Sequence, residues 1–220
     1  MIVAKQKEFE KIKQLVADAK RVMVLGCKTC VTVCNAGGMK EVGVLTSTFR
    51  LDAQRESRNT EYVELTLERQ CDPEYMEQLN TKLEGVDLIV SMGCGAGVQF
   101  IAEHVDIPVV PALDTMFIGV TEAAGTWTER CQACGDCKLG LTGGICPVAR
   151  CSKSIMNGPC GGSSGGKCEI SSETPCGWQL IVDRLEQLGQ MDRYEEIIDD
   201  SDWSTSRDGG PRKVYREDLA

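Results

Sequence analysis

The sequence predicts an α/β fold: a small parallel, Rossmann-like sheet, then a cysteine-rich, metal-stabilised segment with little regular structure, closed by a helix. Three observations lead there. Short apolar runs alternate with helical periodicities over the first half of the chain. Cys27, Cys71 and Cys94 each follow directly on a predicted strand. Eight of the 13 cysteines crowd into residues 131–176, where glycines and small polar residues stand in place of an aliphatic pattern. A segment so poor in apolar residues needs a covalent or metal framework in place of an ordinary core.

Taken in order, residues 5–20 read as an amphipathic surface helix, with Phe9, Ile12, Leu15, Val16 and Ala19 at helical spacing. RVMVLG (21–26) is a short buried strand, followed at once by Cys27. A helix is predicted over 38–55, from Met39, Val42, Leu45, Phe49 and Ala53. EYVELTLE (61–68) alternates as a strand, with Cys71 just beyond. Residues 73–84 return to helical period; VDLIVS (86–91) is a buried strand and leads into MGCGAG, which holds Cys94. A helix at 98–103 and the strand IPVVPA (107–112) complete the alternation. Crossovers between parallel strands are right-handed, so the carboxyl ends of the strands share one edge, where open sheets bind ligands. Residues 113–130 connect to the cysteine-rich segment, and a helix begins at Trp178, with Leu180, Ile181, Leu185 and Leu188 before Gly189. The domains are therefore 1–125, 126–198 and an irregular, solvated tail at 199–220.

Composition narrows the chemistry. A net charge of −9 argues against a nucleic-acid partner. The charged start MIVAKQKEFEKIK lacks the apolar stretch of a signal peptide, and no run approaches the roughly 18 apolar residues of a membrane span, so a cytoplasmic location is expected. In that reducing setting 13 cysteines point to metal rather than to disulfides. With His104 the sole histidine, the sites should be all-cysteine.

Three constellations follow. Cys27-x-x-Cys30-x-x-x-Cys34 joins Cys71 and Cys94 at the sheet edge, five thiols competing for the four places of a cubane cluster. Cys30, Cys34 and Cys94 rank ahead of Cys27 and Cys71. The opposing reading, a thioredoxin-like CxxC pair, leaves the other three cysteines without a role. Cys131-x-x-Cys134-x-x-Cys137, with Cys146-Pro147 further on, follows the order of a bacterial ferredoxin run with a longer gap, and favours [4Fe–4S] over zinc. Cys151, Cys160, Cys168 and Cys176 are widely spaced; zinc and a second cluster are both open there, as is an exchange of ligands between the two sets. No dinucleotide-binding or P-loop fingerprint is in place. Nothing marks a catalytic residue or a substrate site of the chain's own.

GICPVARCSKSIMNGPCGGSSGGKCE with PCGWQLIVDRLEQLGQMD resembles the cysteine-rich C-terminal domain associated with methylenetetrahydrofolate reductase. GCKTCVTVCNAGG, VELTLERQC and SMGCGAG resemble the rest of the small iron–sulfur subunit of that enzyme in acetogenic and related anaerobic bacteria. The resemblance implies a partner: a larger TIM-barrel subunit that binds flavin and folate and transfers the hydride. This chain would hold two or more [4Fe–4S] clusters, with zinc at some sites. It would carry electrons to the flavin from a ferredoxin or another oxidoreductase module. Two other roles remain open: a zinc-stabilised assembly module for a catalytic partner, and a cluster subunit of another anaerobic oxidoreductase complex, of the heterodisulfide reductase kind.

Overall fold

The structure, a computed structural model, describes residues 1–16 and 19–219. They divide into two units, Met1–Trp127 and Thr128–Ala220.

The first unit opens with β1 (Ile2–Gln6) and α1 (Phe9–Val16). There follow β2 (Arg21–Cys27), α2 (Cys30–Val33), α3 (Met39–Arg55), β3 (Glu61–Leu67) and α4 (Met76–Asn80). The chain goes on through β4 (Leu88–Ser91), α5 (Gly95–His104), β5 (Val109–Pro111), β6 (Leu113–Ala123) and β7 (Thr126–Cys131). The four strands predicted for the sheet are all present and all parallel, in the order β3-β2-β4-β5. Val24 stands level with Glu64 on one side and Val90 on the other.

Strand β2 is buried from Val22 to Cys27, because helices cover both faces of the sheet. Its side chains alternate between two cores. Val22 and Val24 pack with Ile12 and Val16 of α1 and with Val42, Leu45 and Phe49 of α3. Met23 and Leu25 pack with Leu79 of α4 and Ile101 of α5. Period-two alternation in the strand and helical period in its neighbours thus meet in one arrangement.

A second sheet, in the order β1-β6-β7, differs from the sequence expectation. Lys5 and Gln6, read as the start of a helix, end β1, which pairs antiparallel with β6 from Ile2↔Ile118 to Gln6↔Leu113. The helix itself begins at Phe9; residues 17 and 18 of the predicted stretch lie outside the described residues. Residues 113–130, read as a connection, are mostly strand. In β6 only Leu113 and Gly119 are buried, so alternation carries little signal there.

The second unit continues from β7 through loops to α6 (Pro147–Arg150), β8 (Lys167–Cys168), β9 (Ser171–Pro175), α7 (Gly177–Gln187) and α8 (Asp192–Glu195). Short 3-10 turns follow at Trp203–Thr205, Arg207–Gly209 and Glu217–Leu219. Its buried apolar cluster is small: Cys176, Trp178, Ile181, Leu185 and Ile198. Polar ties supplement it. The Trp178 indole donates to the Ile155 carbonyl at 2.8 Å, and the Asn157 amide binds both backbone groups of Ile198 at 2.8 Å. Among the described residues no helix is long and apolar enough to cross a membrane.

Candidate metal centres

Three strand ends build the first site. β2 finishes at Cys27, β3 leads through Glu68 to Gln70 and Cys71, and β4 leads through Met92 and Gly93 to Cys94. Strand order reverses between β2 and β4, the place where open α/β sheets bind ligands. Partial desolvation pushes the Cys71 thiol up from its ordinary pKa, and the neighbouring Cys94 and Cys27 push it further.

Gln70 ties the three ends together. Its amide nitrogen donates to the Leu25 carbonyl of β2 at 2.8 Å, and its amide oxygen accepts from the Ser91 hydroxyl of β4 at 2.6 Å. Ser91 in turn accepts from the Gly93 backbone at 3.1 Å. Both Gln70 and Ser91 are buried. Gly93 is a glycine because a Cβ there would lie 2.5 Å from the Gln70 amide oxygen. The only signal in sequence is a polar residue standing directly before Cys71, and it gave no reason to select Gln70.

The five first-unit cysteines do not share one environment. Cys27 Sγ lies 3.4 Å from the Thr29 hydroxyl and 3.8 Å from the Glu68 carbonyl, facing β3. Cys30, half-buried, opens α2. Cys34 is seated against β1 instead. Its sulfur accepts from the Ala4 backbone at 3.5 Å, with the Val31 and Ala4 carbonyls at 3.5 and 3.6 Å to receive its proton. The sheet therefore brings Cys27, Cys71 and Cys94 to one edge, while Cys34 is satisfied within the core. His104 Nδ1 is engaged with the Phe100 carbonyl of its own helix at 2.7 Å.

In the second unit the eight cysteines separate into two foursomes. Cys131, Cys134, Cys137 and Cys146 line one cavity of about 190 Å³, walled also by Leu139 and Val148. The loop between the first three reverses through Ala133 and Gly135, at φ of 51° and 90°. The Ala133 amide donates to Cys131 Sγ at 3.3 Å. Cys146 is the N-cap of α6: its sulfur accepts from the Ala149 amide at 3.4 Å, while Pro147 fills the first helical position. The Cys-Pro pair is thus a helix start that aims a sulfur into the cavity wall.

Cys151, Cys160, Cys168 and Cys176 line a second cavity of about 10 Å³. That is about the space one water needs, whereas the first cavity exceeds it by roughly an order of magnitude. Cys151 follows α6 and Cys176 is the N-cap of α7. The two helix ends meet closely; a Cβ on Gly177 would lie 2.5 Å from the Arg150 carbonyl oxygen. Cys168 is held below the ordinary thiol pKa chiefly by the Ile170 amide, then by the Ser152 hydroxyl at 3.6 Å, with the Ser171 amide and Lys153 adding to the effect. Backbone amides that donate to a sulfur favour its thiolate, the form that binds metal.

The cysteines form no disulfides, and among the described residues no three His, Cys, Asp or Glu side chains are gathered as ligands around the position of a single ion. The donor set itself, four thiols around each second-unit cavity, fits soft-metal or iron–sulfur chemistry.

No curated protein and no solved structure matches the chain. A family model does: residues 110–204, a little under half the chain and including all eight cysteines of the second unit, match the family described as "Methylene-tetrahydrofolate reductase C terminal".

Proposed function

We propose that this chain is the iron–sulfur electron-transfer subunit of a methylenetetrahydrofolate reductase, without a substrate site of its own. The observation that carries the reading is the cavity of about 190 Å³ lined by Cys131, Cys134, Cys137 and Cys146, four sulfurs around a space too large for one ion. A [4Fe–4S] cluster held there would supply one-electron transfer. The chain's own part is to fix the sulfurs, through the Ala133–Gly135 reversal and the Cys146 cap, and to exclude water with Leu139 and Val148. A second cluster belongs at the strand ends, on Cys27, Cys71 and Cys94, with Cys30 as the nearest fourth in sequence and Cys34 outside the set. The cavity of about 10 Å³ at Cys151, Cys160, Cys168 and Cys176 favours a single zinc ion in a structural role.

The family match supports a reductase component as partner. In this reading the partner is a flavin-containing TIM-barrel subunit, which reduces methylenetetrahydrofolate to methyltetrahydrofolate. Electrons reach this chain, in the cytoplasm, from a ferredoxin or another oxidoreductase module.

The test is metal and acid-labile sulfide content of anaerobically purified protein, with electron paramagnetic resonance after reduction. Iron and sulfide in equal amounts, beyond one cluster's worth and alongside about one zinc per chain, are the expected result. Replacing Cys131, Cys134 or Cys137 by serine should remove one cluster signal and abolish electron flow to the partner's flavin while leaving the flavin bound. Zinc without sulfide would overturn the electron-transfer reading and leave a zinc-stabilised assembly module.

A further inference from the structure

Residues 201–212 are irregular in backbone, yet they are fastened over the CxxCxxC loop. The Asp202 amide donates to the Asp136 carboxylate at 3.2 Å, and the Thr205 hydroxyl shares its proton between the Asp202 carbonyl at 2.7 Å and the Cys134 carbonyl at 3.0 Å. The Arg212 guanidinium donates to the Ala133 carbonyl and, at 3.2 Å, to the Thr205 carbonyl. The contact is close enough that a Cβ on Gly135 would lie 2.6 Å from the Thr205 carbonyl oxygen. The segment also has an internal frame. Ser206 is buried, donates to the Trp203 carbonyl at 2.7 Å and accepts from the Asp208 amide at 3.0 Å. Every residue it grips, 133 to 136, lies within the loop from Cys131 to Cys137.

Asp136 is already paired with Lys138 at 2.9 Å. Arg212 has no such carboxylate among the ion pairs of the described residues; its partners are backbone carbonyls. Its positive charge is therefore directed at the loop that carries three of the four thiolates.

We propose that residues 201–212 are a strap that sets the reduction potential of the centre on Cys131, Cys134, Cys137 and Cys146, with Arg212 as the charge that does so. The inference rests on the iron–sulfur reading of that site. Reduction adds one electron, taken from a low-potential one-electron donor, and one unit of negative charge; no bond is made or broken. A cation held beside the centre stabilises the reduced form and raises the potential, and a loop held in one conformation keeps the hydrogen bonds to sulfur constant between the two states. The guanidinium is exposed, so salt screens part of its effect.

The experiment uses the full chain, purified anaerobically, as parent, R212Q, R212K and T205V. Iron and sulfide content are measured first, then the midpoint potential by dithionite titration followed by electron paramagnetic resonance, the signal being assigned by its loss in C134S. R212Q is expected to keep its iron and sulfide and to titrate at a lower potential than the parent, and R212K to stay with the parent. T205V is expected to expose the segment after Asp199 to limited proteolysis. Equal potentials in parent and R212Q overturn the proposal, as does an equal shift in R212Q and R212K, or loss of iron from R212Q. A parent without iron and sulfide overturns the reading of the site itself, and the strap's role with it.

Discussion

Gln70 shows how much of a candidate site can rest on one side chain that is not a cysteine. It bonds to a backbone carbonyl of β2 and a hydroxyl of β4, and it immediately precedes Cys71. Leucine in its place would fill the space and leave the Leu25 carbonyl and the Ser91 hydroxyl buried without that partner. A loss of about 1–3 kcal/mol in urea unfolding is expected of Q70L, together with a lower metal content in the first unit. An unchanged midpoint would show that these strand ends are held by their ladders alone. At this scale the sequence was informative about which residue types matter and silent about their pairing. Each cysteine could be named from spacing. That Cys34 turns to the Ala4 backbone could not be, because the turn depends on a strand at residues 2–6 whose partner lies more than a hundred residues away.

Elements were legible where periodicity and burial agree. The run VMVLG is apolar on both faces because two cores need it, and the helix at 39–55 shows its buried stripe in the sequence. The antiparallel sheet was not legible, since β6 buries two of its eleven residues and the last two residues of β1 were absorbed into a neighbouring helical pattern. Glycines follow the same division between local and tertiary causes. Gly43 sits within α3, where a Cβ would find its nearest neighbour, a Glu64 carboxylate oxygen, at 3.9 Å. Gly37 sits where a Cβ would come within 1.9 Å of the Met92 carbonyl oxygen, the backbone leading into Cys94. G43A is therefore expected to stabilise by about 0.5–1 kcal/mol. G37A is expected to destabilise by roughly 1–3 kcal/mol through overpacking. Chemical denaturation of the two variants separates the causes: if both shift the midpoint the same way, the close approach at Met92 carries no weight.

Across the molecule the two units draw stability from different sources. The first has two apolar cores on opposite faces of a parallel sheet. The second has a cluster of five buried residues and two cavities lined by thiols. On the reading proposed above, metal supplies in the second unit what burial supplies in the first. Adding a strong chelator to the anaerobic protein should then release the amides of α7 to hydrogen exchange while those of β2 and β4 stay protected. Protection of α7 that survives metal removal would show that its apolar cluster suffices. This contrast in composition was readable before any coordinates. The same two consecutive foursomes were grouped from spacing, but exchange between the sets stays open until the loops are placed in space.

That division bears on how the protein is made. The cysteines of the larger second-unit cavity all precede residue 147, and those of the smaller one all follow residue 150. Each set closes loops local to its own stretch of chain, so the ordering entropy is small and neither waits for the other. The strand-end set spans residues 27–94 and needs three strands in register before its cysteines share an edge. On the reading proposed above, the chain therefore emerges during synthesis with its most distant ligands first and its most local ones last, and the centre nearest the amino terminus would depend most on the sheet being finished before metal binds.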